Sequence, residues 1–190
     1  EIAIGTTATN TSTAGINGIS DALSGSDSFF HNSVYIGGTA TSGTGASYAF
    51  NSAITLNTRS FRDNIFFNAR TNGGGTGTNY AVKINGTAAN PAGLTINNNV
   101  YFVNGTGGVF GFFNGADVPN LAAWQTAVGQ DAGSVFGNPA YNDPTNAIPD
   151  LHLHPTNATP AEGNGADVGV VLDYVGLTRA SFTSVDIGAD

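Results

Sequence analysis

The sequence contains no cysteine, which excludes disulfide bonds, thiolate metal sites and cysteine nucleophiles together. Charged residues are also scarce, at 9% of the chain against roughly 25% in an average globular protein. A protein with so few ion pairs and no covalent cross-link must be stabilised by packing and hydrogen bonds.

Positively charged residues are especially few. The 190 residues include only five lysines and arginines, and the formal net charge is -8. Binding to DNA or RNA needs a basic surface that displaces counterions, so we expect no nucleic-acid partner. A stretch of about 20 apolar residues is also missing, and we therefore expect no membrane span in this segment.

The residues that are abundant are poor helix formers. The chain has 27 glycines, and asparagine and threonine recur throughout. Glycine costs backbone entropy in a helix, whereas asparagine and threonine compete for its backbone hydrogen bonds. Short runs of Val, Ile, Phe and Tyr lie between these polar clusters, a pattern that predicts an all-β repeat architecture with many short strands.

One seven-residue pattern occurs three times, over residues 30–36, 61–67 and 96–102. If Val34, Ile65 and Val100 are equivalent, the copies lie 31 and 35 residues apart, a period typical of solenoids and propellers. A second apolar segment precedes each copy, so each period holds at least two strands. One turn of a solenoid therefore fits one period.

Stacking of equivalent strands places equivalent residues in columns. We expect Val34, Ile65 and Val100 to form one interior column, and alternation along the strand then sends Tyr35, Phe66 and Tyr101 to the outer face. The polar residues just before this column fall at or near a bend, where stacked side-chain amides would hydrogen-bond between coils; the equivalent sets are Asn32, Asp63 and Asn98, and Ser33, Asn64 and Asn99. The outer aromatic column is a candidate surface for stacking on sugar rings.

The residues Asp63-Asn64-Ile65-Phe66 and Asn98-Asn99-Val100-Tyr101, together with the closing Asp186-Ile187-Gly188-Ala189, resemble the secreted bacterial right-handed parallel β-helix repeat proteins. The resemblance implies an all-β, right-handed parallel β-helix with its coils in residues 1–115. It implies a C-terminal closing region in residues 116–190 of the same domain. Within that region Leu121, Trp124 and Val128 would share one face of a short helix at 121–128, with Gly129 after it, and this helix would cap the solenoid. It also implies an extracellular or cell-surface location.

Cationic side chains offer a second set of candidate binding residues. Arg59, Arg62 and Arg70 lie around the second copy and Lys83 lies on the next strand, so together they could neutralise a uronic acid in a polysaccharide. Isolated surface charges are the simpler interpretation, and we assign no catalytic residue. No cofactor is expected, although the carboxylates of the C-terminal part keep Ca²⁺ as an alternative.

The sequence therefore favours a non-catalytic structural or adhesive module of an extracellular bacterial surface protein. Its solenoid ends could associate with one another, which would assemble a fibre. The alternative is a polysaccharide-binding or polysaccharide lyase domain that uses Tyr35, Phe66, Tyr101, Arg59, Arg62 and Lys83. Whether the chain is an enzyme stays open at this point.

Overall fold

The computed structural model describes residues 1–6, 14–179 and 185–189. Short parallel strands stack into a β-solenoid of about 4 turns, which confirms the predicted all-β parallel architecture. In chain order the strands are β1 Ile2–Ile4, β2 Ile16–Asp21, β3 Asp27–Phe30, β4 Ser33–Ile36, β5 Thr39–Ala40, β6 Ser47–Ser52, β7 Arg59–Arg62, β8 Ile65–Asn68, β9 Thr71–Asn72, β10 Asn79–Ile84, β11 Leu94–Asn97, β12 Val100–Val103, β13 Gly108–Phe113, β14 Ala116–Val118, β15 Val135–Phe136, β16 Tyr141–Asp143 and β17 Asp150–Leu153.

Three sheets form the walls of the solenoid. Sheet A has the strand order β1-β4-β8-β12-β15, sheet B has β2-β6-β10-β13-β14, and sheet C has β3-β7-β11. All pairings in these sheets are parallel except that of β13 with β14. Each coil visits the walls in the order B, C, A, so side chains from three directions meet in one interior.

Aromatic rings fill the centre of this interior. Phe50 of sheet B, Phe61 of sheet C and Phe66 of sheet A come from one coil, with ring centroids 4.5 Å apart for Phe50 and Phe61 and 4.9 Å apart for Phe50 and Phe66. All three are fully buried. Burial of a phenylalanine contributes about 1.5–3 kcal/mol, so these contacts supply much of the stability of a coil.

The strand register differs from the predicted one by a single residue in the first copy. In sheet A, Val34 pairs with Phe66 rather than with Ile65, and Phe66 pairs in turn with Tyr101. A slip of one residue exchanges the two faces of a strand. Consequently Val34, Phe66 and Tyr101 point into the core, whereas Ile65 and Val100 lie on the outer face, and both predicted columns are wrong in part.

The predicted polar bend is present as a ladder of asparagines between sheets C and A. Asn32 Nδ2 donates to Asn64 Oδ1 at 2.9 Å, and Asn64 Nδ2 donates to Asn99 Oδ1 at 3.0 Å. Ser134 takes the next position, where its Oγ accepts from the backbone N–H of Asn99 at 2.7 Å. The members of the ladder are therefore the residues of the correct register, Asn32 among them rather than Ser33.

The chain that follows β15 does not add a further coil but runs back along the outer face of sheet A. Its strands β16 and β17 form an antiparallel hairpin. A second apolar core fills the space between this segment and the sheet, and its buried members are Tyr35, Ile65, Phe67, Val100, Tyr141, Leu151, Ala161 and Ile187. The outer face of sheet A is thus an internal interface of the protein.

Helix α1, Leu121–Val128, lies where it was predicted. Asn120 caps its N-terminus by accepting from the Ala123 N–H, and Gly129 ends it with a left-handed φ of 74°. Trp124 and Val128 are buried against the last coil, with the Trp124 ring 5.9 Å from that of Phe110. The helix thereby covers the C-terminal end of the core, as a solenoid requires.

Candidate functional site

The three aromatic residues expected on the outer face are buried. Tyr35 is 5% exposed, and Phe66 and Tyr101 are fully buried. Phe66 and Tyr101 belong to the solenoid interior, where the Tyr101 hydroxyl donates to Asp131 Oδ2 at 2.7 Å. Tyr35 lies outside sheet A but under the C-terminal segment. The predicted outward placement is therefore wrong for Phe66 and Tyr101, and the C-terminal segment covers Tyr35, so none of these rings is placed to stack on a sugar.

The predicted group of cations is divided between the interior and the surface. Arg59 is fully buried, and its Nη1 donates to the carbonyls of Asn57 and Ala92, both at 2.9 Å. Arg70 is buried as well. Burial lowers the pKa of both guanidinium groups. Arg62 is half-buried, with its guanidinium 5.8 Å from the Phe30 ring centroid.

Lys83 is the predicted binding residue whose ammonium group lies between two partly exposed aromatic rings. It is half-buried on the outer face of sheet B, opposite Phe112 on one side and Asn51 on the other. Its Nζ lies 5.2 Å from the Tyr48 ring centroid and 5.5 Å from that of Phe112. Both distances are within the range of a cation–π contact, so two aromatic rings hold the ammonium group over the sheet.

Two tyrosines stack beside this lysine. Tyr48 and Tyr80 are paired residues of adjacent coils, and their rings are 5.2 Å apart with an interplanar angle of 5°. The Phe112 ring meets Tyr80 edge-on at 5.7 Å. We name the surface formed by Asn17, Tyr48, Asn51, Tyr80, Lys83, Phe112 and Asp117 the aromatic wall.

Polar groups border the rings of the aromatic wall. The Tyr80 hydroxyl donates to Asp117 Oδ1 at 2.7 Å, and Asn51 Nδ2 donates to Asn17 Oδ1 at 3.1 Å. Burial and the Asp117 carboxylate raise the pKa of Tyr80 to about 12. Tyr80 is therefore protonated at neutral pH and acts as a hydrogen-bond donor rather than as a base.

The aromatic wall has the chemistry of recognition. Ring faces, side-chain amides, one carboxylate and one ammonium group can bind a polar ligand that also has apolar faces.

Among the described residues, no group of three or more His, Asp or Glu side chains is placed to hold a metal ion. Nor does any helix in that part of the chain have the length and apolar character to cross a membrane.

Sequence reasoning found Lys83 but missed its aromatic neighbours. Tyr48 and Tyr80 lie in the apolar segments that precede the repeat, and the repeat pattern predicts no face for these segments. A signal was available, since the 32-residue spacing of Asn32 and Asn64 is also the spacing of these two tyrosines. With that period, the stacked pair would have been predicted.

Comparisons with models of known protein families, with curated proteins and with solved structures each return no match. The geometry of the solenoid and of its aromatic wall is therefore the basis for assigning a function.

Proposed function

We propose that this chain is a non-catalytic adhesive module of an extracellular bacterial surface protein, and that it binds polysaccharide through the aromatic wall. The observation that carries the proposal is the pair of half-buried rings Tyr48 and Phe112, with the Lys83 ammonium group 5.2 and 5.5 Å from their centroids. Tyr80 is only 5% exposed, and its stacked ring supports Tyr48 rather than facing a ligand. The resemblance to secreted β-helix proteins and the cysteine-free, weakly charged composition support the location outside the cell.

Polysaccharide suits this surface because a sugar ring has both an apolar face and a rim of hydroxyl groups. The Tyr48 and Phe112 rings are half-buried, and the Asn17 and Asp117 side chains beside them are exposed. The rings would contact the apolar faces of sugars, whereas the amides and the carboxylate would exchange hydrogen bonds with hydroxyl groups. Lys83 would favour chains that carry carboxylate or sulfate groups.

A repeating ligand also suits a repeating surface. Strands in a sheet lie about 4.8 Å apart, and the aromatic wall takes one row of side chains from each of four coils. A polymer that runs along the solenoid axis would meet several rows at once, which raises affinity without any single strong contact.

The lyase alternative has less support. Arg59 and Arg70 make their interactions inside the protein, so they leave Arg62 and Lys83 on different sheets as the remaining members of the predicted cationic group. A site that neutralises a uronic acid and abstracts its proton needs several such groups on one surface.

A glycan array followed by titration calorimetry tests the proposal. We expect the wild type to bind at least one polysaccharide and Tyr48→Ala to weaken that binding at least tenfold. Phe30→Ala is the matched control, since Phe30 is also a half-buried aromatic residue with a cation over its ring, but on sheet C. Binding that survives Tyr48→Ala, or an array without a bound glycan, would refute the proposal. Turnover of a polysaccharide that is lost in Arg62→Ala would establish the lyase alternative.

A further inference from the structure

An asparagine that precedes a glycine can modify itself without an enzyme. The nitrogen of the next residue attacks the side-chain carbonyl of the asparagine, and glycine, which has no side chain, leaves that nitrogen accessible. The chain has six such steps, which begin at Asn17, Asn72, Asn85, Asn104, Asn114 and Asn164. Because the structure places these asparagines in different surroundings, we expect them to react at different rates.

Four of the six side chains are held in place by hydrogen bonds. Their amides bond to other residues at 2.7 to 3.2 Å, and the four are Asn17, Asn72, Asn85 and Asn164. Asn72 is held twice, since its Nδ2 donates to the Gly77 carbonyl at 2.7 Å and its Oδ1 accepts from Asn79 at 3.2 Å. Ring closure at these positions must first break such bonds, which slows the reaction.

Asn104 and Asn114 are exposed, and neither side chain bonds to another residue in the part of the chain that the structure describes. The glycines that follow them differ. Gly105 is packed against the neighbouring coil, where a Cβ atom would lie 1.9 Å from the Arg70 carbonyl oxygen. A Cβ atom on Gly115 would meet nothing within 4 Å. The peptide group after Asn114 is therefore free to rotate, whereas the peptide group after Asn104 is not.

Asn114 and Gly115 form the two-residue turn between β13 and β14. Phe113 pairs with Ala116 in antiparallel register, and φ is 51° at Asn114 and 73° at Gly115. Positive φ at both positions is typical of a type I′ turn, for which Asn-Gly is a preferred sequence. Strand β14 has three residues and lies at the edge of sheet B. Local opening of this short hairpin frees the turn for ring closure.

We propose that Asn114 is a site of spontaneous modification to isoaspartate. The Gly115 nitrogen attacks the side-chain carbonyl carbon of Asn114, and the new N–C bond closes a five-membered imide. The side-chain nitrogen leaves as ammonia, which carries away the proton of the attacking nitrogen. Water then opens the ring at one of its two carbonyls. Opening at the main-chain carbonyl leaves the peptide running through the side-chain carbon, which is isoaspartate, whereas opening at the other carbonyl gives aspartate.

Isoaspartate changes the turn in two ways, because it lengthens the backbone by a carbon atom and adds a carboxylate. A two-residue turn does not accommodate the extra length while Phe113 and Ala116 stay paired. Strand β14 then loosens from β13 and takes Asp117 away from the Tyr80 hydroxyl, which donates to it at 2.7 Å in the intact hairpin. The modification thereby reaches the edge of the aromatic wall. Its effect on a ligand rests on the proposed function, whereas the modification itself does not.

Peptide mapping by mass spectrometry of the purified 190-residue chain tests the proposal. The chain is aged at neutral and at mildly alkaline pH, and isoaspartate is detected with protein isoaspartyl methyltransferase. We expect Asn114 to be modified at least tenfold faster than Asn104 and than each of the four hydrogen-bonded asparagines. The rate should rise with pH, because the deprotonated nitrogen is the attacking species. An Asn114 that stays unmodified, or an Asn104 that reacts as fast, would overturn the proposal.

Two variants separate the backbone change from the added charge. Asn114→Gly keeps a type I′ sequence without a side-chain amide, and Asn114→Asp adds the charge without lengthening the backbone. On ageing, hydrogen exchange of the β14 amides should rise in the wild type in step with the isoaspartate fraction and stay constant in Asn114→Gly. Fresh Asn114→Asp should exchange like the fresh wild type. An equal rise in aged Asn114→Gly would contradict the effect on β14.

Polysaccharide binding by the aged wild type should fall with the modified fraction, and binding by aged Asn114→Gly should not. A fresh protein that binds no polysaccharide would remove the proposed function alone, since peptide mapping still decides whether Asn114 is the modified residue.

Discussion

His31 and Asp63 occupy the same corner position in adjacent coils, and both have a left-handed backbone conformation, with φ of 52° and 59°. The C-terminal segment covers them: Ala166 N–H donates to Asp63 Oδ1, and Gly188 N–H donates to the Asp63 carbonyl, both at 2.8 Å. Burial, followed by the nearby Arg179, lowers the pKa of His31 to about 4, and burial raises the pKa of Asp63 to about 6 despite Arg62 and Arg179.

These opposite shifts make the two residues compensate each other. Between about pH 4 and 6 the folded state holds one proton on Asp63 and none on His31, whereas the unfolded state, with ordinary pKa values of 3.8 and 6.5, holds it on histidine instead. Folding then exchanges no net proton at this pair. The slope of the free energy of unfolding with pH is set by the difference in bound protons between the two states. In that window the pH dependence contributed by His31 therefore cancels the pH dependence contributed by Asp63.

Asp63→Asn should expose the contribution of His31. A histidine whose pKa is lowered by folding stabilises fully above pH 6.5 and loses that contribution as the pH falls towards 4. We expect the free energy of unfolding of this variant, relative to the wild type, to fall by on the order of 2 kcal/mol between pH 7 and pH 4.5. Urea unfolding at both pH values measures it.

His31→Asn should show the opposite trend. Asparagine tolerates this backbone conformation, as Asn98 does in the next coil with φ of 55°. The raised pKa of Asp63 then stabilises below pH 3.8, and that contribution is lost as the pH rises through about 6. Parallel pH profiles for the wild type and both variants would contradict the compensation.

Asn64 is the central member of the asparagine ladder, and its removal should be costly. Its Nδ2 donates to the carbonyls of Phe29 and Arg62 as well as to Asn99, and its Oδ1 accepts from Asn32. Asn64→Ala leaves several buried partners unsatisfied, so we expect a loss of about 2–4 kcal/mol in urea unfolding.

Two further variants separate the ladder from a general effect of asparagine. Asn85 makes one bond to the Ala53 carbonyl near the surface, so Asn85→Ala should cost less than about 1 kcal/mol. Asn64→Ser should recover part of the loss, because Ser134 fills this position in the last coil. Equal effects of Asn64→Ala and Asn85→Ala would show that the ladder has no special role.

Asp131 connects the C-terminal helix to the core, and its substitution should loosen that end. Its carboxylate accepts from Trp124 Nε1 at 2.8 Å, from the Tyr101 hydroxyl at 2.7 Å and from the Ser134 hydroxyl. Asp131→Asn places an amide donor among these donors, and we expect it to cost about 2–3 kcal/mol. Fluorescence of Trp124, the only tryptophan, reports the transition. Asp143→Asn, a control in the surface hairpin, should leave the free energy of unfolding unchanged.

Local patterns in the sequence were sufficient for the parallel solenoid and for helix α1, since the repeat and the Trp124 face are local features. The register was not, because Phe29 and Phe30 offer two alignments with Phe61 and Ser33 stands opposite Ile65. The burial of Tyr35 under residues that follow β15 depends on contacts between distant parts of the chain. A periodic pattern carries no information about them, and the candidate site was therefore only found in part.

Lys83 and Tyr48 should affect polysaccharide binding in different ways. Lys83 supplies a charge and Tyr48 a ring face, and both lie in the aromatic wall within 5.2 Å of each other. Lys83→Gln should weaken the binding of an anionic polysaccharide and reduce the salt dependence of that binding between 50 and 500 mM NaCl. Over this range the Debye length shortens through about 8 Å, so the attraction of an exposed charge is progressively screened. A neutral polysaccharide should bind this variant about as well as the wild type, whereas Tyr48→Ala should weaken the binding of both the neutral and the anionic polymer.

Calorimetric titrations with one neutral and one anionic polymer distinguish the effect of the Lys83 charge from that of the Tyr48 ring. If Lys83→Gln weakened the neutral polymer as much as the anionic one, the lysine would act by supporting the Tyr48 and Phe112 rings rather than by its charge.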